Sequence, residues 1–182
     1  LESIAAHLYD YTKKENGVSD LIDDLLSCGV GFFVLSHLQK TYLDGAAFIC
    51  NKNPFVVYTC RYDRIDNFWF VVAHEIAHIL NHYDFLNEPF LDNLDEKAES
   101  EREKQADSCA GRYLNQDKVI EVGQQYGKYL NASRLNLISE QSQVSVPVAL
   151  GMLQHFGLLD WRQFAKYKEH VKELIPNELI RG

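Results

Sequence analysis

Residues 66–83 of this 182-residue chain read DNFWFVVAHEIAHILNHY. This segment predicts a helix that begins after Asp66, its N-cap. Apolar side chains cover most of the helix surface, and such a helix is buried on several sides. The polar residues His74, Glu75 and His78 nevertheless stand in its middle. Because buried polar groups need partners, the fold must supply something that satisfies these three side chains.

The same three residues form the pattern H-E-x-x-H, in which the two histidines lie four positions apart. On an α-helix this spacing places both imidazoles on one face, one turn apart, so that both can bind a single metal ion. Zinc lowers the pKa of a water molecule towards about 7, and a neighbouring carboxylate can accept the proton. The pattern therefore predicts one zinc per chain, with His74 and His78 as ligands and Glu75 as the general base.

A catalytic zinc site needs a third protein ligand and an open coordination position. Glu103 and Asp107 lie one turn apart on the next strongly helical segment, on the face that also carries Ala106 and Ala110. Small residues on that face allow two helices to approach closely. We expect Glu103 to be the third ligand and Asp107 to accept a hydrogen bond from the far ring nitrogen of a ligand histidine.

Two alternatives to this ligand set remain open. Glu99 also lies one turn from Glu103, which makes it the main rival. His82 continues the series of histidines, but as a third ligand it would have to bend back from a second turn along the helix. Its position favours a role at the helix end, where it either extends towards solvent or caps carbonyl groups near the negative end of the helix dipole.

Two short apolar runs precede the metal-binding segment and predict a β-hairpin. The runs cover residues 46–50 and 55–60, and the polar residues 51–54 between them predict a four-residue turn. The second run is the more apolar and contains more β-branched and aromatic residues, so it belongs inside the sheet. Residues 46–50 are therefore expected to form the edge strand.

An edge strand offers unpaired N–H and C=O groups to an extended peptide. We expect Ala46, Ala47 and Phe48 to bind the substrate, because small side chains at the first two positions leave room for those of a peptide. The alternative is that the helix predicted at residues 1–15 covers this edge.

Charge and composition exclude several classes of protein. The net charge is −8, whereas nucleic-acid binding needs clustered Lys and Arg, so we expect no direct nucleic-acid contact. The longest apolar run, residues 29–35, is far shorter than the roughly 20 residues that span a membrane. Four scattered cysteines without a C-x-x-C pair favour a reduced, cytoplasmic protein.

The segments RYDRIDNFWFVVAHEIAHILNH and EREKQADSCAGRYL resemble the ImmA/IrrE family of zinc metallo-endopeptidases. Cys109 stands where the family usually has Phe, a difference in packing that touches no ligand. The resemblance implies a bacterial, cytoplasmic endopeptidase that hydrolyses peptide bonds in a helix-turn-helix repressor and thereby acts in transcription regulation and stress response. The matching positions are His74, Glu75, His78, Glu103, Ala106, Asp107 and Ala110.

The segment VPVALGMLQHFGLLDW resembles the helical end of a subgroup that is fused to an N-terminal helix-turn-helix regulator. The sequence begins with Leu1 rather than Met, so we expect a processed product or a fragment of a longer protein. The alternative function is then a non-catalytic metal-binding or sensing domain of such a regulator. The intact Glu75 favours the enzyme, because a purely structural site has no use for a general base.

These observations predict an α+β fold. We expect a zincin-like metallopeptidase domain over residues 1–116, with a small, mostly antiparallel sheet and the H-E-x-x-H helix. A helical C-terminal extension over residues 117–182, ending in a helix from Asp160 to about residue 174, is expected to pack on this domain.

Overall fold

The computed structural model describes residues 1–35, 43–86 and 96–181, without the side chains of residues 96–99, 128 and 181. The helices are α1 (Glu2–Ala6), α2 (Leu8–Tyr11), α3 (Gly17–Ser27), α4 (Ile65–Asn81), α5 (Tyr83–Leu86), α6 (Glu96–Tyr113), α7 (Gln116–Tyr126), α8 (Ala132–Ser142) and α9 (Val146–His155). The strands are β1 (Gly31–Leu35), β2 (Gly45–Cys50), β3 (Asn53–Tyr58) and β4 (Ile180–Arg181). The α+β fold class is confirmed.

The described strands form one sheet in the order β2-β3-β1-β4. β2 pairs with β3 in antiparallel fashion, whereas β1 runs parallel to both β3 and β4. The sheet is therefore mixed, and the expectation of a mostly antiparallel sheet is wrong. A tight hairpin forces antiparallel pairing only on β2 and β3, while the long connection between β1 and β3 and the return of the chain to β4 permit parallel pairing.

The turn between β2 and β3 contains two residues rather than the four predicted at residues 51–54. Cys50 pairs with Asn53, which leaves Asn51 and Lys52 as the loop. Both loop residues have positive φ angles, 50° and 68°. Positive φ at both central positions marks the type I′ turn, whose twist matches that of the flanking strands. The predicted β-hairpin is thus confirmed with a shorter turn.

Helix α4 lies under the sheet at the centre of the hydrophobic core. Phe68 and Trp69 are fully buried in it, and the Phe68 ring contacts Phe32 on β1 edge to face. The helix begins two residues earlier than the sequence predicts, after Arg64 in extended conformation. The expected N-cap, Asp66, lies inside the first turn, where its carboxylate accepts a hydrogen bond from the Arg64 guanidinium.

The C-terminal segment differs from its prediction, because the helix expected from Asp160 onward is wrong. Short 3-10 turns at Ala165–Tyr167, Lys172–Leu174 and Asn177–Leu179 replace it. Tertiary hydrogen bonds organise this segment: the Asp63 carboxylate, for example, accepts from the backbone N–H groups of Val171 and Lys172. The chain then reaches β1 as strand β4.

Helices α7 to α9 contribute to the same hydrophobic cluster as α3, α4 and the sheet. The domain boundary that we place between residues 116 and 117 remains a prediction. Within residues 1–35, 43–86 and 96–181, the structure contains no helix with the length and hydrophobicity needed to traverse a lipid bilayer.

Candidate metal centre

Helices α4 and α6 cross closely at the H-E-x-x-H segment. The contact is made by Ala77 on α4 and by Ala106 and Cys109 on α6, all of which are buried. Small side chains at this contact let the two backbones approach, as the sequence predicts for Ala106. The approach brings side chains that lie 25 or more positions apart in the sequence to one point.

Three side chains meet at that point: His74, His78 and Glu103. The Nε2 atoms of the two histidines lie 2.9 Å apart. One carboxylate oxygen of Glu103 lies 3.2 Å from His74 Nε2, and the other lies 3.2 Å from His78 Nε2. We call these two nitrogens and this carboxylate the donor triad. The structure thus brings together the three residues that the sequence proposes as ligands.

The donor triad fits a tetrahedral metal ion. Bonds of about 2.1 Å to nitrogen and oxygen in tetrahedral geometry imply ligand atoms about 3.4 Å apart. The separations of 2.9 Å and 3.2 Å are somewhat shorter than this value, so a small outward shift of the side chains would accommodate the ion. Two imidazoles and one carboxylate are also the donor set of several catalytic zinc sites. The Glu103 side chain is 52% exposed, so the centre opens to solvent on the α6 side.

Burial tunes the imidazole of His78 for metal binding. Desolvation is the largest cause, and the neighbouring His74 is the second; together they lower the pKa of His78 to about 4. The Glu103 carboxylate opposes this shift. The ring is therefore neutral at pH 7 and carries a free lone pair. Because a metal ligand must be unprotonated, this environment favours metal binding over protonation.

Asp107 contacts the outer nitrogen of one imidazole of the triad. Its Oδ1 atom lies 2.8 Å from His74 Nδ1, where the carboxylate accepts a hydrogen bond from the ring. Such a bond leaves Nε2 of His74 unprotonated and turned towards the triad. The contact is the one expected from the spacing of Glu103 and Asp107 on the helix.

Replacing Asp107 with Ala is expected to lower zinc affinity by about 10–100-fold, because the ring of His74 loses the partner that orients it. Competition with a chelator measures the change. Glu101→Ala is the matched control, since it removes an equal charge from α6 at a position paired with Lys104. Equal affinities of the two variants would show that Asp107 is an ordinary surface carboxylate.

Glu75 lies next to His74 in sequence but points towards strand β2. Glu75 is buried, with 7% of its surface exposed. Desolvation and the nearby Glu103 carboxylate raise the pKa of Glu75 to about 8, and the backbone N–H of Ala47 opposes this rise. A cation bound by the donor triad would also lower this pKa, because an opposite charge within a few ångströms favours ionisation.

Gly45 is a site residue that the sequence analysis missed. A Cβ atom at this position would lie 3.0 Å from Glu75 Oε1 and 2.4 Å from Val71 Cγ1. The absent side chain therefore leaves the space that the Glu75 carboxylate occupies. A glycine at the start of a strand is a recognised sign of such close approach, so the signal was present in the sequence.

His82 occupies a position that the sequence analysis did not anticipate. Its Nδ1 atom lies 3.0 Å from His78 Nδ1, on the outer side of that ring. His82 Nε2 lies 3.1 Å from Oε1 of Gln105 on α6. The side chain therefore contacts another histidine, where a capping role was expected. The side chain of Glu99, the rival third ligand, lies outside the described residues.

Strand β2 borders the centre. Among the described strands it pairs with β3 alone, so the predicted edge position is confirmed. The N-terminal helix α1 packs on α3 and α4. Of the three residues expected to bind substrate, Ala47 lies beside Glu75, whereas the Phe48 ring stacks on Phe55 at the sheet face turned away from α4. Ala46 shares the face of Phe48, because side chains alternate along a strand.

A search of the curated proteins found no match to this sequence. A scan against protein-family models matched Peptidase_M78, described as the IrrE N-terminal-like domain, over residues 34–150. The match includes strands β2 and β3, the donor triad, Glu75 and Asp107, and it covers more than half of the chain. The resemblance found in the sequence is thereby confirmed, and the chain belongs to the Peptidase_M78, IrrE N-terminal-like family of metallopeptidases.

Proposed function

We propose that this chain is a zinc-dependent endopeptidase in which His74, His78 and Glu103 hold one zinc ion and Glu75 is the general base. The observation that carries the proposal is the donor triad, whose spacing fits a tetrahedral ion. A purely structural zinc site is closed by four protein ligands. Three protein ligands leave a position for substrate.

Bound zinc supplies a Lewis acid that polarises a peptide carbonyl and activates water. Glu75 then accepts a proton from the attacking water and delivers it to the leaving amine. The burial of Glu75 suits this exchange, because desolvation favours the neutral carboxyl and opposes the lowering of its pKa by the bound cation. The Ala47 N–H and the space left by Gly45 hold the carboxylate at the edge of β2.

The free edge of β2 presents alternate backbone groups to a peptide. Pro54 lacks an N–H group and pairs with Ile49, so these two residues form a non-hydrogen-bonded pair of the antiparallel ladder. The backbone groups of Ile49 and Ala47 therefore point away from β3. Because the Ala47 N–H faces Glu75, the Ala47 C=O and both the N–H and the C=O of Ile49 are the groups left for a substrate strand.

Replacing Ile49 with Pro is expected to lower kcat/KM for peptide cleavage about fivefold, since it removes one hydrogen bond worth about 1 kcal/mol. Edge strands tolerate proline, so folding and zinc content should hold. Ile49→Ala is the control that loses the side chain and keeps the N–H. The same kcat/KM in both variants would contradict the role of the edge. Ala47→Pro should lower kcat/KM by more than Ile49→Pro does, because it removes the N–H that contacts the Glu75 carboxylate.

We propose that the substrate is a helix-turn-helix repressor and that the chain acts in the bacterial cytoplasm. Support comes from the family resemblance and from four free cysteines among the described residues. The test incubates the zinc-loaded chain with its cognate repressor and with a broad peptide library, and mass spectrometry identifies any cleavage site. Zinc binding without cleavage of either substrate would favour the alternative, a metal-sensing regulatory domain, which the likeness of the tail to the fused subgroup supports.

A further inference from the structure

The side chains of His78, His82 and Gln105 form a line that leads from the donor triad to the surface of α6. His78 Nδ1 and His82 Nδ1 lie 3.0 Å apart, and His82 Nε2 lies 3.1 Å from Gln105 Oε1. Both distances are those of hydrogen bonds. We call these three side chains the hydrogen-bond chain.

Donor and acceptor chemistry gives the hydrogen-bond chain one arrangement of protons. The amide oxygen of Gln105 only accepts, so His82 Nε2 carries the proton. The Nδ1 atom of a neutral His82 is then an acceptor, and it accepts from Nδ1–H of His78. The Nε2 atom of His78 is consequently unprotonated, and it is the atom that belongs to the donor triad.

The same reasoning applied to His74 gives the same tautomer by a different route. Its Nδ1 atom donates to the Asp107 carboxylate, which leaves Nε2 as a lone pair. Both imidazoles thus direct lone pairs to a single point. The partner of His74 is a carboxylate on α6, whereas the partner of His78 is a second imidazole at the end of its own helix, α4.

We propose that His82, oriented by Gln105, is a positioning residue that sets the tautomer and ring orientation of His78 for zinc. This inference rests on the proposed zinc function. A neutral imidazole is a weaker partner than a carboxylate, because hydrogen bonds to charged groups are about twice as strong. The effect of losing His82 should therefore lie near the lower end of the range for such outer partners.

The first test reads the tautomers directly. A long-range ¹H–¹⁵N correlation spectrum of the zinc-loaded chain is expected to show a proton on His78 Nδ1 and on His82 Nε2. A proton on Nδ1 of His82 with an unprotonated Nε2 would overturn the inference, because that ring could not accept from His78. This readout does not depend on activity.

The second test measures zinc affinity by competition with a chelator. His82→Phe keeps a ring of similar size and should weaken binding about tenfold. Gln105→Leu should weaken it about threefold, because its amide is exposed and water can replace it in part. Gln105→Glu keeps the acceptor and should bind zinc at least as tightly as the wild type. His7→Phe, an exposed histidine that contacts Ser3, is the matched control.

The outcomes separate this inference from the proposed function. A wild-type chain that binds no zinc overturns both. Zinc binding that is unchanged in a folded His82→Phe variant overturns the inference and leaves the zinc site intact. X-ray absorption should count two imidazole ligands in the wild type. A third imidazole that disappears in His82→Phe would make His82 a ligand and would also overturn the inference.

Discussion

Glu75→Gln is expected to retain one zinc per chain and to lower kcat for peptide hydrolysis by about 10²–10⁴-fold. The amide has nearly the shape of the carboxylate, but it cannot accept a proton from water. Elemental analysis measures the zinc content. The kcat is measured with the repressor or peptide that the wild type cleaves. Hydrolysis at the wild-type rate would exclude Glu75 as the base, and loss of zinc would show that the variant perturbs the site.

A pH-dependent stability measurement provides an independent readout for Glu75. Its pKa in the metal-free fold is about 8, against an ordinary value of 4.5. The native state therefore holds a proton that the unfolded state releases as the pH rises between these values, so the free energy of unfolding falls over this interval. Metal-free Glu75→Gln should lose less stability than the metal-free wild type between pH 5 and pH 8, as chemical denaturation can measure.

Glu103→Ala is expected to weaken zinc binding by more than the roughly 100-fold that marks the upper end for outer partners, since it removes a direct ligand. Glu99→Ala should leave the affinity within a few-fold of the wild type. Both variants remove one negative charge from the same helix, so their difference isolates coordination from general electrostatics. Chelator competition gives the two affinities.

The two glutamates also provide the contradicting outcome. Equal losses in Glu103→Ala and Glu99→Ala would move the ligand assignment or spread it over both residues. A crystal structure of the zinc-loaded wild type then distinguishes the cases, because it shows directly which carboxylate coordinates the ion. Thermal unfolding of the metal-free variants checks that neither substitution disrupts α6.

Much of the site could be predicted because its parts repeat at helical spacing. His74 and His78, like Glu103 and Asp107, lie four residues apart, and each pair therefore shares one helix face. The edge position of β2 also followed from local composition, because the strand that follows it is more apolar. The errors fell where tertiary contacts override local pattern: the segment after Asp160 forms short turns around hydrogen bonds to Asp63 and Gln154.

The residue types and their spacing on single helices determine which chemistry this chain can perform, because an α-helix turns every 3.6 residues whatever surrounds it. They predict a metal site with two histidine ligands and a neighbouring carboxylate as the base. The tertiary structure decided how distant residues meet. The approach of α4 and α6 places the Glu103 carboxylate 3.2 Å from both imidazoles and Gln105 beside His82. Such contacts depend on side-chain packing between elements, and no local period in the sequence encodes them.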